Sequence, residues 1–278
     1  MSSTRSDAGS DDLKAQVQAF WDAASCGEVY AAGTTPHDYY ESHRSVRYAL
    51  EPYIASFAHF EEGAGRDVLE VGVGMGADHV EWARSHPRRL AGVDLTPRAV
   101  AHTRARLAVY GLASELGVGD AERLPFGDAS FDIVYSYGVL HHSPDTPRAV
   151  REVHRVLRAG GTARIMIYHA RALTGYMLWL RYALLAGRPG RSLADVYFHH
   201  LESAGTKAYT REEARRMFAD FSDVRLRVQL NPGDLLEGAT GQRHGGALLT
   251  LARALWPRPL LRRLMRNHGL ALLIEAVK

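Results

Sequence analysis

The sequence predicts an α/β protein in which a mostly parallel β-sheet carries helices on both faces. Between Asp67 and Tyr168, short apolar segments typical of buried parallel strands alternate with segments of helical periodicity. Strands that alternate with helices are joined by right-handed crossovers and form a doubly wound sheet. The last two predicted strands, near 224–230 and 270–277, lack a short crossover between them, which indicates an antiparallel edge.

The residues on either side of this core predict a cap and a set of insertions. Residues 1–10 are polar, lack the apolar stretch of a signal peptide and are expected to be disordered. Helices are predicted from Asp11 to about Ala24 and from Ser42 to Phe60. The expected segments are a lead-in (1–10), an N-terminal helical cap (11–61), a core (62–170) and the end of the sheet with helical insertions (171–278).

The composition is that of an ordinary globular protein and excludes several classes. Of the 278 residues, 34 are Lys or Arg and 31 are Asp or Glu, and no basic segment is interleaved with aromatic residues as in nucleic-acid-binding modules. The single cysteine, Cys26, excludes an internal disulfide and favours a reducing, cytoplasmic location. The most apolar stretch, Tyr176–Ala186, is short and contains Arg181, so no membrane-spanning segment is expected. The composition leaves a homodimer open.

The apolar run from Val68 to Val71 ends in three glycines at alternate positions, 72, 74 and 76. This spacing differs from the Gly-x-Gly-x-x-Gly of dinucleotide-binding proteins, and no Gly-Lys-Ser/Thr follows as in a P-loop. Because no lysine or arginine lies beside the turn, we expect a nucleotide-like ligand that carries no phosphate. Glu70, directly before the turn, would attract a positively charged group.

Acidic residues follow the next two predicted strands. Asp94 lies 18 residues after Gly76 and can accept hydrogen bonds from both hydroxyls of a ribose. Asp120 can accept from the amine of an adenine, and the Ala121 N–H can donate to a ring nitrogen. Ligands of open α/β sheets bind at the carboxyl ends of the strands, where all of these residues lie.

In order along the chain, these motifs resemble the class I S-adenosylmethionine-dependent methyltransferases. The branch most similar contains the ubiquinone and menaquinone C-methyltransferases and many enzymes of secondary metabolism. The resemblance covers about residues 67–170 and implies a Rossmann-like, cofactor-binding core with a seven-stranded sheet of order 3-2-1-4-5-7-6, strand seven being antiparallel. Its motifs are Glu70–Gly76, Asp94, Asp120–Phe126, Val139–His142 and Arg155–Gly161.

The resemblance also implies roles for individual residues, with S-adenosylmethionine as cofactor, S-adenosylhomocysteine as product and no metal. Glu70 would face the amino group of the methionine moiety, and Tyr137 would contact the same end. The remaining cofactor contacts implied are Gly72, Gly74 and Gly76 with methionine and ribose, Asp94 with ribose, Leu95 beside the adenine, and Asp120 and Ala121 at the adenine edge.

A candidate base follows the fourth strand. Methyl transfer to oxygen or nitrogen requires that the acceptor lose a proton, and histidine suits this task near neutral pH. His141 is expected to be this base and to contact the acceptor. The alternative is that the His141–His142 pair caps the following loop.

Other candidate acceptor contacts are Tyr168 and His169, which end the fifth strand. In the cap, the aromatic residues Phe20, Trp21 and Tyr30 accompany Tyr39 and Tyr40, and the last two are preferred as lid residues because they lie in a predicted loop. His199, His200 and Glu202 are rejected as a metal site, since adjacent histidines on a helix point apart and no cysteine accompanies them.

The predicted function is methylation of a small organic acceptor in specialised metabolism, with oxygen preferred and nitrogen or carbon left open. One alternative is a lipid or polyprenyl acceptor at a membrane surface, suggested by the arginines after Trp256 and the apolar Tyr176–Ala186 segment. A second alternative is a non-catalytic protein that binds S-adenosylmethionine. A third is a dehydrogenase, which calorimetry with NAD would distinguish.

Overall fold

The computed structural model describes residues 3–237 and 253–278. It contains a seven-stranded sheet of order β3-β2-β1-β4-β5-β7-β6, in which β7 runs antiparallel to both of its neighbours and the other neighbouring pairs are parallel. This topology confirms the predicted fold. The strands are β1 (Asp67–Val71), β2 (Arg89–Asp94), β3 (Glu115–Val118), β4 (Phe131–Tyr137), β5 (Leu157–Tyr168), β6 (Asp223–Gln229) and β7 (Ala271–Val277).

Helices cover both faces of the sheet and extend beyond its carboxyl edge. They are α1 (Ser3–Ala23), α2 (Pro36–Leu50), α3 (Tyr53–Ala58), α4 (Ala77–Arg84), α5 (Pro97–Val109), α6 (Thr146–Val156), α7 (Leu173–Trp179), α8 (Leu193–His200), α9 (Arg211–Met217) and α10 (Arg258–Leu264). The starts of α2, α5 and α6 combine a side-chain cap from Thr35, Thr96 or Asp145 with a proline in the first turn.

Two predictions for the N-terminal cap were wrong. The first predicted helix was expected to begin at Asp11, whereas helix α1 begins at Ser3. The predicted helix over 42–60 is two helices, and the first begins earlier, at Pro36. Pro52 separates them, because proline lacks the N–H that a continuous helix needs. Part of the predicted glycine-rich insertion, residues 238–252, lies outside the described residues.

The core lies on both faces of the sheet, and the alternation of side chains along β1 decides which face each residue serves. Leu69 and Val71 pack with β4, β5 and α6 on one face. Val68 packs with Val80 and Trp82 of α4 on the other. Glu70 follows Val68 on that second face and is buried. In the described ranges, no helix has the length and hydropathy needed to cross a membrane.

Candidate active site

A cavity of about 1230 Å³ opens at the carboxyl ends of β1, β2, β4 and β5. One wall, which we call the cofactor wall, consists of the turns after the strands and includes Glu70, Gly74, Asp94 and Asp120. The opposite wall, which we call the acceptor wall, is largely apolar. Its members include Phe20, Trp21, Tyr30, Met177, Leu178, Leu185, Leu201, Leu236 and Trp256.

The glycine turn shapes the cofactor wall through two different requirements. At Gly72 φ is +85°, and a Cβ would lie 2.1 Å from Cγ2 of Val139, so a side chain there would clash with the neighbouring loop. At Gly74 φ is +51°, but a Cβ would meet no atom within 4 Å. The first glycine is therefore required by packing, whereas the second leaves open space in which a ligand can approach the backbone.

Glu70 is hydrogen-bonded to a buried histidine. Its Oε2 lies 2.8 Å from Nδ1 of His79, and Nε2 of His79 lies 2.8 Å from Oγ of Ser114. Because Ser114 donates its hydrogen to the Leu90 carbonyl, Nε2 of His79 must be the donor to Ser114. Burial raises the pKa of Glu70 and lowers the pKa of His79 to about 3. We conclude that the pair holds one proton between Glu70 and His79, with Glu70 at the cavity surface.

Asp94 is held rigidly by the turns on either side of it. Its Oδ2 accepts from the Gly74 N–H at 3.1 Å, and its Oδ1 accepts from the N–H and hydroxyl of Thr96 at 3.0 and 2.9 Å. Burial raises the pKa of Asp94, and these hydrogen bonds oppose the increase. The carbonyl of Leu95 accepts from Gln18 of α1 at 2.9 Å, which fastens that helix to the end of β2.

Asp120 forms an ion pair that the sequence did not suggest. Nζ of Lys14, on α1, lies 2.6 Å from Oδ2 of Asp120 and 2.9 Å from Oε2 of Glu122. The other oxygen of Asp120 accepts from the Glu122 N–H at 2.9 Å. Ala121 lies in the cavity wall beside them. Helix α1 therefore crosses this end of the cavity and is attached to it by charge.

A polar network closes the opposite end of the cofactor wall. The buried carboxylate of Asp78 accepts from Arg47 at 2.6 and 3.1 Å, from Tyr48 at 2.9 Å and from Tyr135 at 2.8 Å. Burial alone would raise the pKa of Asp78, but Arg47 and these hydrogen bonds outweigh burial and hold the pKa below its usual value. The Arg47 guanidinium also lies 5.1 Å from the centre of the Tyr137 ring. Sequence motifs did not identify Arg47, because its partners are distant in the chain.

The hydroxyl of Tyr137 donates to Glu51 at 2.9 Å and lies 3.1 Å from the Tyr53 hydroxyl. All of Tyr137, Arg47 and Glu51 line the cavity. The helical cap therefore supplies a charged pair to the end of the site where the methionine moiety was expected.

The two histidines after β4 differ in their access to the cavity. His141 is fully buried, its ring lies 3.9 Å from that of Tyr168, and among the described residues it is His142 rather than His141 that lines the cavity. Burial holds the pKa of His141 well below its usual value. Nδ1 of His142 lies 3.1 Å from Oγ1 of Thr206 and 3.0 Å from Oγ of Ser203, while its Nε2 lies 3.4 Å from Oε2 of Glu202.

Of the four other residues expected at the acceptor, Tyr168 reaches the cavity, where its hydroxyl donates to Glu202 at 2.7 Å. His169 is buried beside the Gly269 carbonyl. Tyr39 and Tyr40 lie outside the cavity lining, and Tyr40 packs against Arg106. The aromatic residues of the cap that do line the cavity are Phe20, Trp21 and Tyr30. Phe20 and Trp21 were less favoured in sequence because an inward-facing lid on a helix has the same residue spacing as a face packed in the core.

Comparison with known families and proteins agrees with this geometry. Residues 69–165 match the family model described as Methyltransferase domain. Over 150 residues the chain is 31% identical to ajmaline N-methyltransferase of Rauvolfia serpentina, covering 52% of this chain and 51% of the relative. It is 40% identical over 99 residues to a phthiotriol/phenolphthiotriol dimycocerosates methyltransferase of Mycobacterium leprae, covering 35% and 36%. It is 35% identical over 100 residues to 27-O-demethylrifamycin SV methyltransferase of Amycolatopsis mediterranei, covering 35% and 37%. The matches thus span about half of the first relative and little more than a third of the other two.

Solved structures show the same fold at low sequence identity. The YcgJ protein of Bacillus subtilis superposes with a TM-score of 0.53 at 20% identity, covering 80% of this chain and 97% of that protein. The [4+2]-cyclase SpnF gives a TM-score of 0.54 at 16% identity, covering 97% and 94%. The family match thus identifies residues 69–165 as a methyltransferase domain, and the strand order and these two structures show the same fold over most of the chain.

Proposed function

We propose that this protein transfers the methyl group of S-adenosylmethionine to an organic acceptor bound against the acceptor wall. The observation that carries this proposal is the continuity of one cavity between the cofactor wall and the apolar wall. Pockets for small ligands usually measure about 300–1,000 Å³, so a cavity of about 1230 Å³ has room for two reactants side by side.

In this proposal the cofactor wall binds S-adenosylmethionine through the strand-end residues. Bound there, the cofactor supplies an electrophilic methyl group on a sulfonium. Asp94, fixed by Gly74 and Thr96, holds the ribose hydroxyls through its remaining lone pairs, with Leu95 beside the adenine. Glu70 meets the ammonium group through Oε1, because its Oε2 is engaged by Nδ1 of His79. The turn at Gly72, Gly74 and Gly76 contacts the methionine and ribose moieties. Tyr137 contacts the methionine end.

At the adenine end, Asp120 accepts a hydrogen bond from the adenine amine and the Ala121 N–H donates to a ring nitrogen, although Lys14 already pairs with Asp120. Because Lys14 pairs with both Asp120 and Glu122, it can shift toward Glu122 when an adenine amine reaches Asp120. Helix α1 would then cover the bound cofactor, and the Gln18 contact with Leu95 would hold the cover in place.

The acceptor wall favours an apolar organic molecule of substantial size. Leucine, methionine and aromatic side chains dominate it. Oxygen is the preferred acceptor atom, with nitrogen or carbon open. In-line displacement depends chiefly on the relative positions of the two reactants, which the two walls of the cavity would set. We place removal of the acceptor proton at the pair His142 and Glu202, because His141 is fully buried behind them.

Calorimetry followed by turnover assays tests the proposal. Isothermal titration calorimetry should show binding of S-adenosylmethionine and none of NAD. A panel of apolar hydroxyl, amine and activated-carbon acceptors should then release S-adenosylhomocysteine. Failure to bind S-adenosylmethionine would refute the proposal. Binding without any turnover would favour a non-catalytic or different role, for which the fold shared with a [4+2]-cyclase gives a precedent.

A lipid acceptor at a membrane surface is a second candidate, favoured by the residues beside the cavity. Leu180, Leu184 and Leu185 are exposed, the last at 71%, and Arg181 among them lines the cavity. On α10, the exposed Leu260 and Leu264 lie near Arg262 and Arg263. Flotation with anionic vesicles decides between the candidates, since a small-molecule enzyme should remain unbound in the dense fraction.

A further inference from the structure

We propose that His141, His142 and Glu202 bind a divalent transition-metal ion at the base of the cavity. One nitrogen of each histidine and one carboxylate oxygen of Glu202 all lie within 4.8 Å of one another. In the sequence, Glu202 lies close to His199 and His200, a group that was rejected above as a metal site. The fold instead brings Glu202 to a different histidine pair, about sixty positions earlier in the chain.

The hydrogen bonds around His142 determine which of its nitrogens is free. Oγ1 of Thr206 donates its only hydrogen to the Ser203 carbonyl at 2.7 Å, so toward His142 it can only accept. Oγ of Ser203 lies 3.0 Å from the same nitrogen and 3.4 Å from Oγ1 of Thr206. In the arrangement inferred here Ser203 donates to Thr206, so Nδ1 of His142 carries a hydrogen. In the neutral ring, Nε2 then presents a lone pair, and it does so 3.4 Å from Oε2 of Glu202.

Two acceptor atoms thus face each other in a buried place, an arrangement that a cation stabilises. The Tyr168 hydroxyl already donates to the same oxygen of Glu202 and helps to orient the carboxylate. For a tetrahedral ion with bonds of about 2.05 Å, neighbouring ligand atoms lie roughly 3.3 Å apart. The separation of 3.4 Å between His142 and Glu202 matches one edge of such a site.

His141 supplies the third ligand and an independent reason for the site. It is 0% exposed, and neither of its ring nitrogens has a hydrogen-bond partner among the described residues. Buried polar atoms are normally paired, and an ion is one of the partners that explains an exception. Closing the site requires His141 to move by at most about 1.5 Å, the difference between the 4.8 Å upper limit and a tetrahedral edge of roughly 3.3 Å.

The donor set selects the kind of metal. Two imidazole nitrogens and one carboxylate suit Zn²⁺, Fe²⁺ or Co²⁺, whereas Mg²⁺ and Ca²⁺ prefer oxygen ligands throughout. Since His142 and Glu202 line the cavity, the fourth position would face the acceptor. If the proposed function holds, the bound ion rather than free His142 and Glu202 would promote deprotonation of an acceptor hydroxyl at this position, and the proton would pass to solvent, as it does from metal-bound water.

Cobalt binding tests the site without reference to methylation. Full-length protein without an affinity tag, treated with a chelator and then dialysed, should bind one Co²⁺ per chain and develop the visible absorption of a tetrahedral complex. Glu202→Gln and His142→Gln should each weaken binding by at least about tenfold, as should Thr206→Val, which removes the partner of Nδ1. The matched control is His199→Gln on α8, which should bind Co²⁺ like the unaltered protein.

Circular dichroism and calorimetry with S-adenosylmethionine establish that each variant is folded. Absence of the Co²⁺ spectrum in the unaltered protein, or equal binding by the folded Glu202→Gln variant, would overturn the metal site. Binding of S-adenosylmethionine without metal would leave the proposed function standing and remove only this inference. Metal binding without S-adenosylmethionine binding would leave the metal site standing and refute the proposed function.

Discussion

The two walls of the cavity are assembled in different ways. The cofactor wall comes from consecutive strand ends between Glu70 and Ala121, and two of its acids, Asp94 and Asp120, are held by backbone N–H groups of the neighbouring turns. The acceptor wall collects side chains from α1, from the residues after α8, from residues 231–237 and from Trp256. Local sequence motifs therefore specify the residues of the cofactor wall. The acceptor wall is built from distant segments, so its residues can be substituted without altering the core of the fold.

His142→Ala should show the largest difference between an effect on turnover and an effect on cofactor binding. Removing a group at the site of proton transfer should lower kcat by about 100-fold. The Kd for S-adenosylmethionine should change little, because the polar contacts of His142 are with Ser203, Thr206 and Glu202. Steady-state assays with S-adenosylhomocysteine detection and calorimetry give the two numbers. The control Phe198→Ala removes an exposed side chain of α8 and should leave both unchanged. Equal loss of binding and turnover would indicate a structural role for His142 instead.

Next in size is the contrast between two glycines of the cofactor wall. Gly72→Ala should destabilise the fold by about 2 kcal/mol or more, because the new Cβ meets Val139 and φ is +85°. Gly74→Ala should cost less stability but should weaken S-adenosylmethionine binding, since its added methyl group enters open cavity space. Urea unfolding and calorimetry measure the two effects.

Gly111→Ala is the matched control for both, with φ of +66° and no atom within 4 Å of the added Cβ. Its loss of stability reports backbone strain alone. If Gly72→Ala cost no more than Gly111→Ala, the packing explanation for Gly72 would be wrong.

Asp94→Ala should raise the Kd for S-adenosylmethionine by about tenfold, because the ribose hydroxyls lose a charged acceptor. Asp94→Asn keeps the shape and should weaken binding less. Turnover at saturating cofactor should recover in both variants if the acceptor wall is independent. An unchanged Kd in Asp94→Ala would refute the assignment.

The smallest expected effect concerns the helix that joins the walls. Lys14→Ala removes the ion pairs that attach α1 to Asp120 and Glu122. The effect on stability should be small, because Lys14 and Asp120 are partly exposed and the buried Glu122 still accepts from Ser143 and from the Asp145 N–H. We expect cofactor release to accelerate by about threefold, with a smaller change in Kd, as measured by stopped-flow fluorescence of Trp21. Slower cofactor release in Lys14→Ala would mean that Lys14 competes with the adenine for Asp120 more strongly than it holds helix α1 over the bound cofactor.

The sequence by itself determined the fold and the positions of the strand-end residues. Glycines at 72, 74 and 76 and acids at 70, 94 and 120 lie at strand ends, and parallel strands bring their carboxyl ends to one edge whatever the rest of the chain does. Tertiary structure alone decided that His79 shares a proton with Glu70 and that Lys14 pairs with Asp120. It also decided that His142 rather than His141 reaches the cavity, beside a glutamate from another segment. Such contacts depend on how helices pack over the sheet, and the spacing of residues along one segment carries no information about distant segments.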